Sequence, residues 1–168
     1  EQWPEYDLAY ERRIAAVAQK AKEGDSFAEL VYGTLQLGGS LPRWVSKDET
    51  AGLALLEKSS NGGNARAAEV VVSYLSYDTK QLDDARLRRL TPHLQRAANG
   101  GNAASMEMLG GFYFAGEGGL AMDCVQAAQW QARAEEAGSK TARNDLVWTW
   151  ATCPLAEQRN PAKAMELA

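Results

Sequence analysis

The sequence predicts an all-helical protein, a solenoid of stacked helical hairpins, and three observations carry that expectation. First, a glycine followed by a helix-capping residue recurs at Gly24-Asp25, Gly63-Asn64, Gly101-Asn102 and Gly138-Ser139, with successive glycines 39, 38 and 37 residues apart. Second, apolar residues between these marks recur at helical rather than strand spacing. Third, Leu56–Ala65 (LEKSSNGGNA) and Leu94–Ala103 (LQRAANGGNA) share six of ten residues, which points to an internal repeat.

Each mark has a physical reading. Glycine accepts the left-handed conformation that ends many helices, because it has no Cβ to clash. Asp, Asn or Ser beside it can accept hydrogen bonds from the free N–H groups that open the next helix. Four residues after each marker glycine stand Ala28, Ala67, Ser105 and Ala142; eight after, Tyr32, Val71, Leu109 and Leu146; eleven after, Leu35, Tyr74, Phe112 and Thr149. Small residues where helices approach, with larger ones beside them, suit stacked hairpins. The pattern predicts helices over 6–22, 26–37, 50–61, 65–77, 83–98, 103–115, 123–137 and 140–152. A last one starts near Asn160-Pro161, since proline is tolerated at the first helical position. Units follow at 6–24 (partial), 25–63, 64–101, 102–138 and 139–168 of one domain, 1–168. The final helix is expected to lack a partner, as in a fragment of a longer array. The chain begins at Glu1 rather than Met, so a removed leader or tag, or a start inside a longer protein, is expected.

Composition bounds the function. The formal net charge of −4 argues against nucleic acid as a partner, and no apolar run is long enough to span a bilayer.

Residues 97–138 resemble a Sel1-like repeat. Ala97-Ala98, Gly101, Ala104, Leu109-Gly110, Tyr113, Gly116, Gly118, Asp123, Ala127 and Trp130 fill the places of that family's pattern. Flanking units are more degenerate: 24–63 keeps Ala28, Gly33 and Gly38-Gly39 but lacks the tyrosine, and 63–101 loses Leu-Gly and the glycine-rich loop. The resemblance implies αα-hairpins stacked in a right-handed superhelix that serves as an interaction scaffold.

Residues able to do chemistry are sparse. His93 is the only histidine, follows Pro92 in a basic helix, and reads as solvated or capping. One histidine and two distant cysteines do not make a zinc site. Gly116-Glu117-Gly118-Gly119 lacks the Lys-Ser/Thr of a phosphate loop and reads as a connection between helices. Asp83-Asp84 suits a helix N-terminus, and Glu135-Glu136 reads as solvated. No catalytic residue, metal or cofactor is assigned.

Cys124 lies 14 residues before Gly138 and Cys153 lies 15 after it, which sets both thiols at the same end of adjacent helices. Two outcomes stay open, a disulfide or two small buried thiols; a bridge would point to an oxidising compartment. Arg86, Arg88, Arg89 and Arg96 form a basic helix, either solvated or a docking patch. Trp44 either tucks under its own loop or anchors an interface.

In helical-hairpin repeats the first helix of each unit lines the concave face. With Leu109, Gly110 and Tyr113 turned to the core, the opposite stripe carries Ala104, Glu107, Gly111 and Phe114. Its counterparts are Arg66, Glu69, Ser73 and Ser76 in one neighbour, and Thr141, Asn144 and Trp148 in the other. The expected partner-binding set is Trp44, Arg66, Glu69, Ser73, Glu107, Phe114, Asn144 and Trp148. The expected partner is another protein. By resemblance to bacterial Sel1-like proteins, the specific expectation is a periplasmic immunity protein that occludes a lipase-type effector of type VI secretion. The alternatives are an envelope or cytoplasmic adaptor and, remotely, a cell-wall or β-lactam hydrolase.

Overall fold

The structure, a computed structural model, describes residues 3–77 and 83–168. Among these every regular element is a helix: α1 (Trp3–Lys22), α2 (Ser26–Gly38), α3 (Glu49–Asn61), α4 (Ala65–Ser76), α5 (Asp84–Asn99), α6 (Ala103–Ala115), α7 (Cys124–Glu136), α8 (Ala142–Thr152) and α9 (Pro161–Leu167). No described helix is long and apolar enough to cross a membrane. The chain forms two compact units, Glu1–Val71 and Val72–Ala168. In the first, α2 packs against α1 and α3; in the second, each helix from α5 to α9 packs against the next.

All four marks act as hinges. Gly24, Gly63, Gly101 and Gly138 have φ of 90°, 97°, 96° and 93°. At each, the residue after the glycine donates its N–H to a carbonyl five residues back: Asp25 to Lys20, Asn64 to Ser59, Asn102 to Ala97, Ser139 to Ala134. The glycine N–H reaches three back, to Ala21, Ser60, Ala98 and Glu135. This is the Schellman closure of one helix. At the first three marks the same residue then starts the next helix. Asp25 accepts from Ala28 N–H at 2.8 Å, Asn64 from Ala67 N–H at 3.1 Å and Asn102 from Ser105 N–H at 2.8 Å.

The fourth mark departs from the expectation. Helix α8 starts at Ala142 rather than 140, after Thr141, whose side chain makes no cap bond. Ser139 Oγ accepts only at 3.3 Å from Thr141 and Ala142 N–H. The Thr141 hydroxyl is instead given to Glu107 on α6.

Most of the marked positions lie in the core: Ala28, Ala67, Ser105, Ala142, Val71, Leu109, Leu146, Phe112 and Thr149 are buried, while Tyr32, Leu35 and Tyr74 are half-buried. Glycines appear where helices cross. A Cβ on Gly52 of α3 would stand 2.7 Å from Gly33 O and from Leu37 N of α2. One on Gly110 of α6 would stand 2.9 Å from Gln131 Cγ and 3.1 Å from Ala127 O of α7. Gly116, the left-handed cap of α6, and Asp123, the N-cap of α7, bound the glycine-rich connection.

Two expectations are corrected. His93 is buried, not solvated: it shares one face of α5 with buried Leu90, Leu94 and Ala97, at helical spacing. Helix α9 does have a partner. Ala164 joins Ala128, Leu146 and Trp150 in one apolar cluster, Asn160 N–H donates to Trp150 O, and Lys163 Nζ lies 4.3 Å from the Trp150 ring.

Candidate partner-binding site

Helices α6, α7 and α8 together build a groove of about 230 Å³. Helix α6 contributes Glu107, Gly111 and Phe114, α7 contributes Gln131, and α8 contributes Asp145, Trp148 and Thr149. On α6 Leu109 and Gly110 are buried and Tyr113, expected inward with them, is half-buried, while of the opposite stripe Glu107 and Phe114 are half-buried beside exposed Gly111. Trp148 stands at the groove with 61% of its surface exposed, a large apolar side chain left in water.

The groove is acidic. Glu107 Oε1 accepts from the Thr141 hydroxyl. The Asp145 carboxyl is pushed above its ordinary range, first by desolvation and then by the nearby Glu107 charge. Among the described residues, no lysine or arginine forms an ion pair with either carboxylate; Arg143, on the same helix as Asp145, pairs with Glu135 at 2.6 Å. The pairing also corrects the expectation that Glu135 is simply solvated. At the base sits Gln131, 4% exposed, whose Oε1 has no hydrogen-bond partner. A buried amide oxygen left without a donor is unfavourable and calls for an explanation.

The remaining expected residues lie elsewhere. Asn144 is exposed on α8 but does not line the groove. Arg66 and Glu69 pair with each other across one turn of α4 at 2.8 Å, and Ser73 is exposed. Trp44 is half-buried and stacks on Tyr10 of α1, ring centroids 5.6 Å apart, so it leans on α1 rather than under its own loop. With Asp7, Glu11, Tyr32 and Arg43 it lines a separate groove of about 380 Å³, where Arg43 pairs with Asp7 at 2.6 Å. The basic face of α5 is largely self-satisfied: Arg88 pairs with Asp84, Arg86 donates to Leu75 O and Arg96 to Pro92 O.

Gln131 escapes a reading by register alone, whereas Asp145, at helical spacing from Thr141 and Trp148, is open to it. Repeat alignment holds a signal for the first. Gly33 and Gly110 are 77 positions apart, and Gly52 and Ala127, whose carbonyls face those glycines, are 75 apart. The same step of 75 carries Leu56, which lies over Gly33, onto Gln131, which lies over Gly110. A glutamine thus occupies a leucine seat.

A disulfide joins Cys124 and Cys153, Cα atoms 6.1 Å apart. It locks the N-terminal end of α7 to the C-terminal end of α8. Gln158 Oε1 accepts from Cys124 N–H at 2.7 Å, and Arg159 Nε donates to Cys153 O at 2.7 Å, so the segment leading into α9 is fastened there as well.

No protein-family model matches the chain, and no curated protein matches it in sequence. Solved structures that share its architecture include the following two. A Sel1 repeat protein from Oxalobacter formigenes superposes with a TM-score of 0.61 at 21% identity, over 94% of this chain and 62% of its own. A protective antigen present in uropathogenic Escherichia coli strains, with an SLR fold, gives a TM-score of 0.60 at 22% identity, over 94% of this chain and 32% of its own. The chain thus spans under two thirds of the length of either. Such identities speak to fold and not to activity. In fold, this all-helical chain is similar to the Sel1-repeat proteins.

Proposed function

We propose that the chain is a protein-binding repeat scaffold that docks its partner on the groove of α6, α7 and α8. The observation that carries this reading is Trp148: it is 61% exposed above a groove that also holds Phe114, Glu107 and Asp145. An exposed indole over a partly apolar, charged recess is the composition of an interface anchor with its polar rim. Asn144, exposed on the helix that carries Trp148, would then serve as a peripheral contact, while Trp44, Arg66, Glu69 and Ser73 are separate candidate contacts that this groove does not require.

The finer reading is an immunity protein in an oxidising compartment such as the periplasm, which occludes a secreted antibacterial lipase. The Cys124–Cys153 bridge supports it over a cytoplasmic adaptor, in which both thiols would be reduced. In the test, the chain is mixed with a secreted lipase-type effector, taken from beside its gene where one is encoded there, and hydrolysis is followed. The expected result is complex formation and loss of lipase activity, both abolished by Glu107→Lys combined with Trp148→Ala. Undiminished hydrolysis defeats the immunity reading; a partner complex untouched by the double substitution defeats the groove as docking site.

A further inference from the structure

We infer that the groove between α6, α7 and α8 is a receptor for one arginine side chain of a protein partner. The inference rests on the docking reading above and adds the chemistry of the anchor. Three features converge on a planar cation. Two carboxylates, Glu107 and Asp145, line one recess, and among the described residues neither forms an ion pair with a lysine or arginine. Two aromatic side chains, Phe114 and Trp148, line the same recess, and ring faces attract cations. Gln131 forms part of its lining, is nine-tenths buried, and holds an amide oxygen that is closed off from solvent and receives no hydrogen bond.

Gln131 is the independent observation. The corresponding position in the first unit is Leu56, fully buried against Gly33. Helix packing at this crossing is satisfied by an apolar side chain there. An amide oxygen in its place adds only an unmet acceptor, unless the side chain turns to meet a donor held in the groove. A guanidinium brings five donors in one plane, enough for two carboxylates and an amide oxygen while its face stacks on an indole. An ammonium brings a compact, strongly hydrated point charge that stacks less well. A metal is a poorer fit, because no group of three or more His, Cys, Asp or Glu gathers among the described residues.

The experiment uses the full chain, 15N-labelled at its indoles, with the Trp148 resonance assigned by its loss in Trp148→Phe. The protein is titrated with Gly-Gly-Arg-Gly-Gly, with the same peptide carrying citrulline, which is neutral and nearly isosteric, and with the lysine peptide. Saturable movement of the Trp148 indole by the arginine peptide is expected, at concentrations about tenfold below those needed for citrulline, as charge-assisted bonds are about twice as strong as neutral ones. The lysine peptide should bind several-fold more weakly than arginine. Asp145→Asn with Glu107→Gln should remove the preference for arginine over citrulline while the Trp150 indole, on the far side of α8's packing, keeps its position. The inference is overturned if citrulline or lysine binds as well as arginine, or if no peptide moves Trp148. It is also overturned if the double variant, folded by circular dichroism, keeps the preference. Should arginine fail while Glu107→Lys with Trp148→Ala still abolishes a partner complex, the arginine assignment alone falls. Should arginine bind while that complex is unaffected, the docking reading falls and the receptor stands.

Discussion

The α2–α3 crossing and the α6–α7 crossing are built alike and finished differently. Each puts a glycine of the first helix, Gly33 or Gly110, against a carbonyl of the second, Gly52 O or Ala127 O. Each first helix ends on a left-handed glycine, Gly39 or Gly116, and each second helix starts on a capping aspartate, Asp48 or Asp123. Asp48 N–H donates to Gln36 O and Asp123 N–H to Tyr113 O; the aspartates are 75 positions apart and the carbonyls 77, so even the connecting loops return to the corresponding carbonyl. The contrast lies at one residue. Leu56 closes the first crossing with hydrocarbon, and Gln131 closes the second with an amide. The first crossing is thereby committed to stability, and the second keeps a polar base under an open groove.

That contrast can be broken at several points. The largest effect is expected from the disulfide, which is present only in the second unit. Reducing Cys124–Cys153, or replacing both cysteines by serine, should lower unfolding free energy by about 3 kcal/mol, from the constraint on a loop of 29 residues. Thermal melts with and without reductant measure it; an unchanged midpoint would mean that the ends of α7 and α8 are held without the bridge. Next come the crossing glycines. Gly52→Ala presses a methyl into backbone atoms on both sides and should cost about 2–3 kcal/mol. Gly110→Ala meets mainly the flexible Gln131 side chain and should cost about 1 kcal/mol. Urea midpoints that rank the two the other way would show that the α6–α7 crossing is the tighter.

A smaller effect should follow pH. The Asp145 carboxyl has a raised pKa in the folded chain, from desolvation and from Glu107. A raised folded value gives a contribution present at low pH and lost as pH rises through the folded value. Relative to Asp145→Asn, the wild-type protein should therefore lose stability as pH climbs through the carboxylate range. Paired denaturation curves check this, and a difference that grows in the wild type's favour with rising pH would contradict it.

Much of the fold was legible because its grammar is local. A glycine that closes one helix, followed by a residue that opens the next, needs only neighbouring backbone to act, and all four glycines do so. Ser139 shows where locality ends. The helix after it starts late, and the Thr141 hydroxyl next to that start goes to Glu107, a residue 34 positions away. His93 and α9 were misread for a similar reason: burial of the one and docking of the other depend on which face a neighbouring helix presents. The stripe of Glu107, Phe114 and Trp148 followed from helical spacing. Asp145 lies at helical spacing from Thr141 and Trp148 and was open to the same rule, whereas Gln131 was not, because only the crossing of α6 over α7 brings a residue of the second helix to the groove.

The most direct test of the account is Gln131→Leu, which gives the second crossing the side chain of the first. The buried oxygen without a donor disappears and apolar packing replaces it, so the melting temperature should rise, with a gain of about 1–2 kcal/mol. Binding of the arginine peptide should weaken in the same protein. A variant that is less stable, or that binds the peptide as well as before, would show that Gln131 belongs to the packing and not to the groove's function.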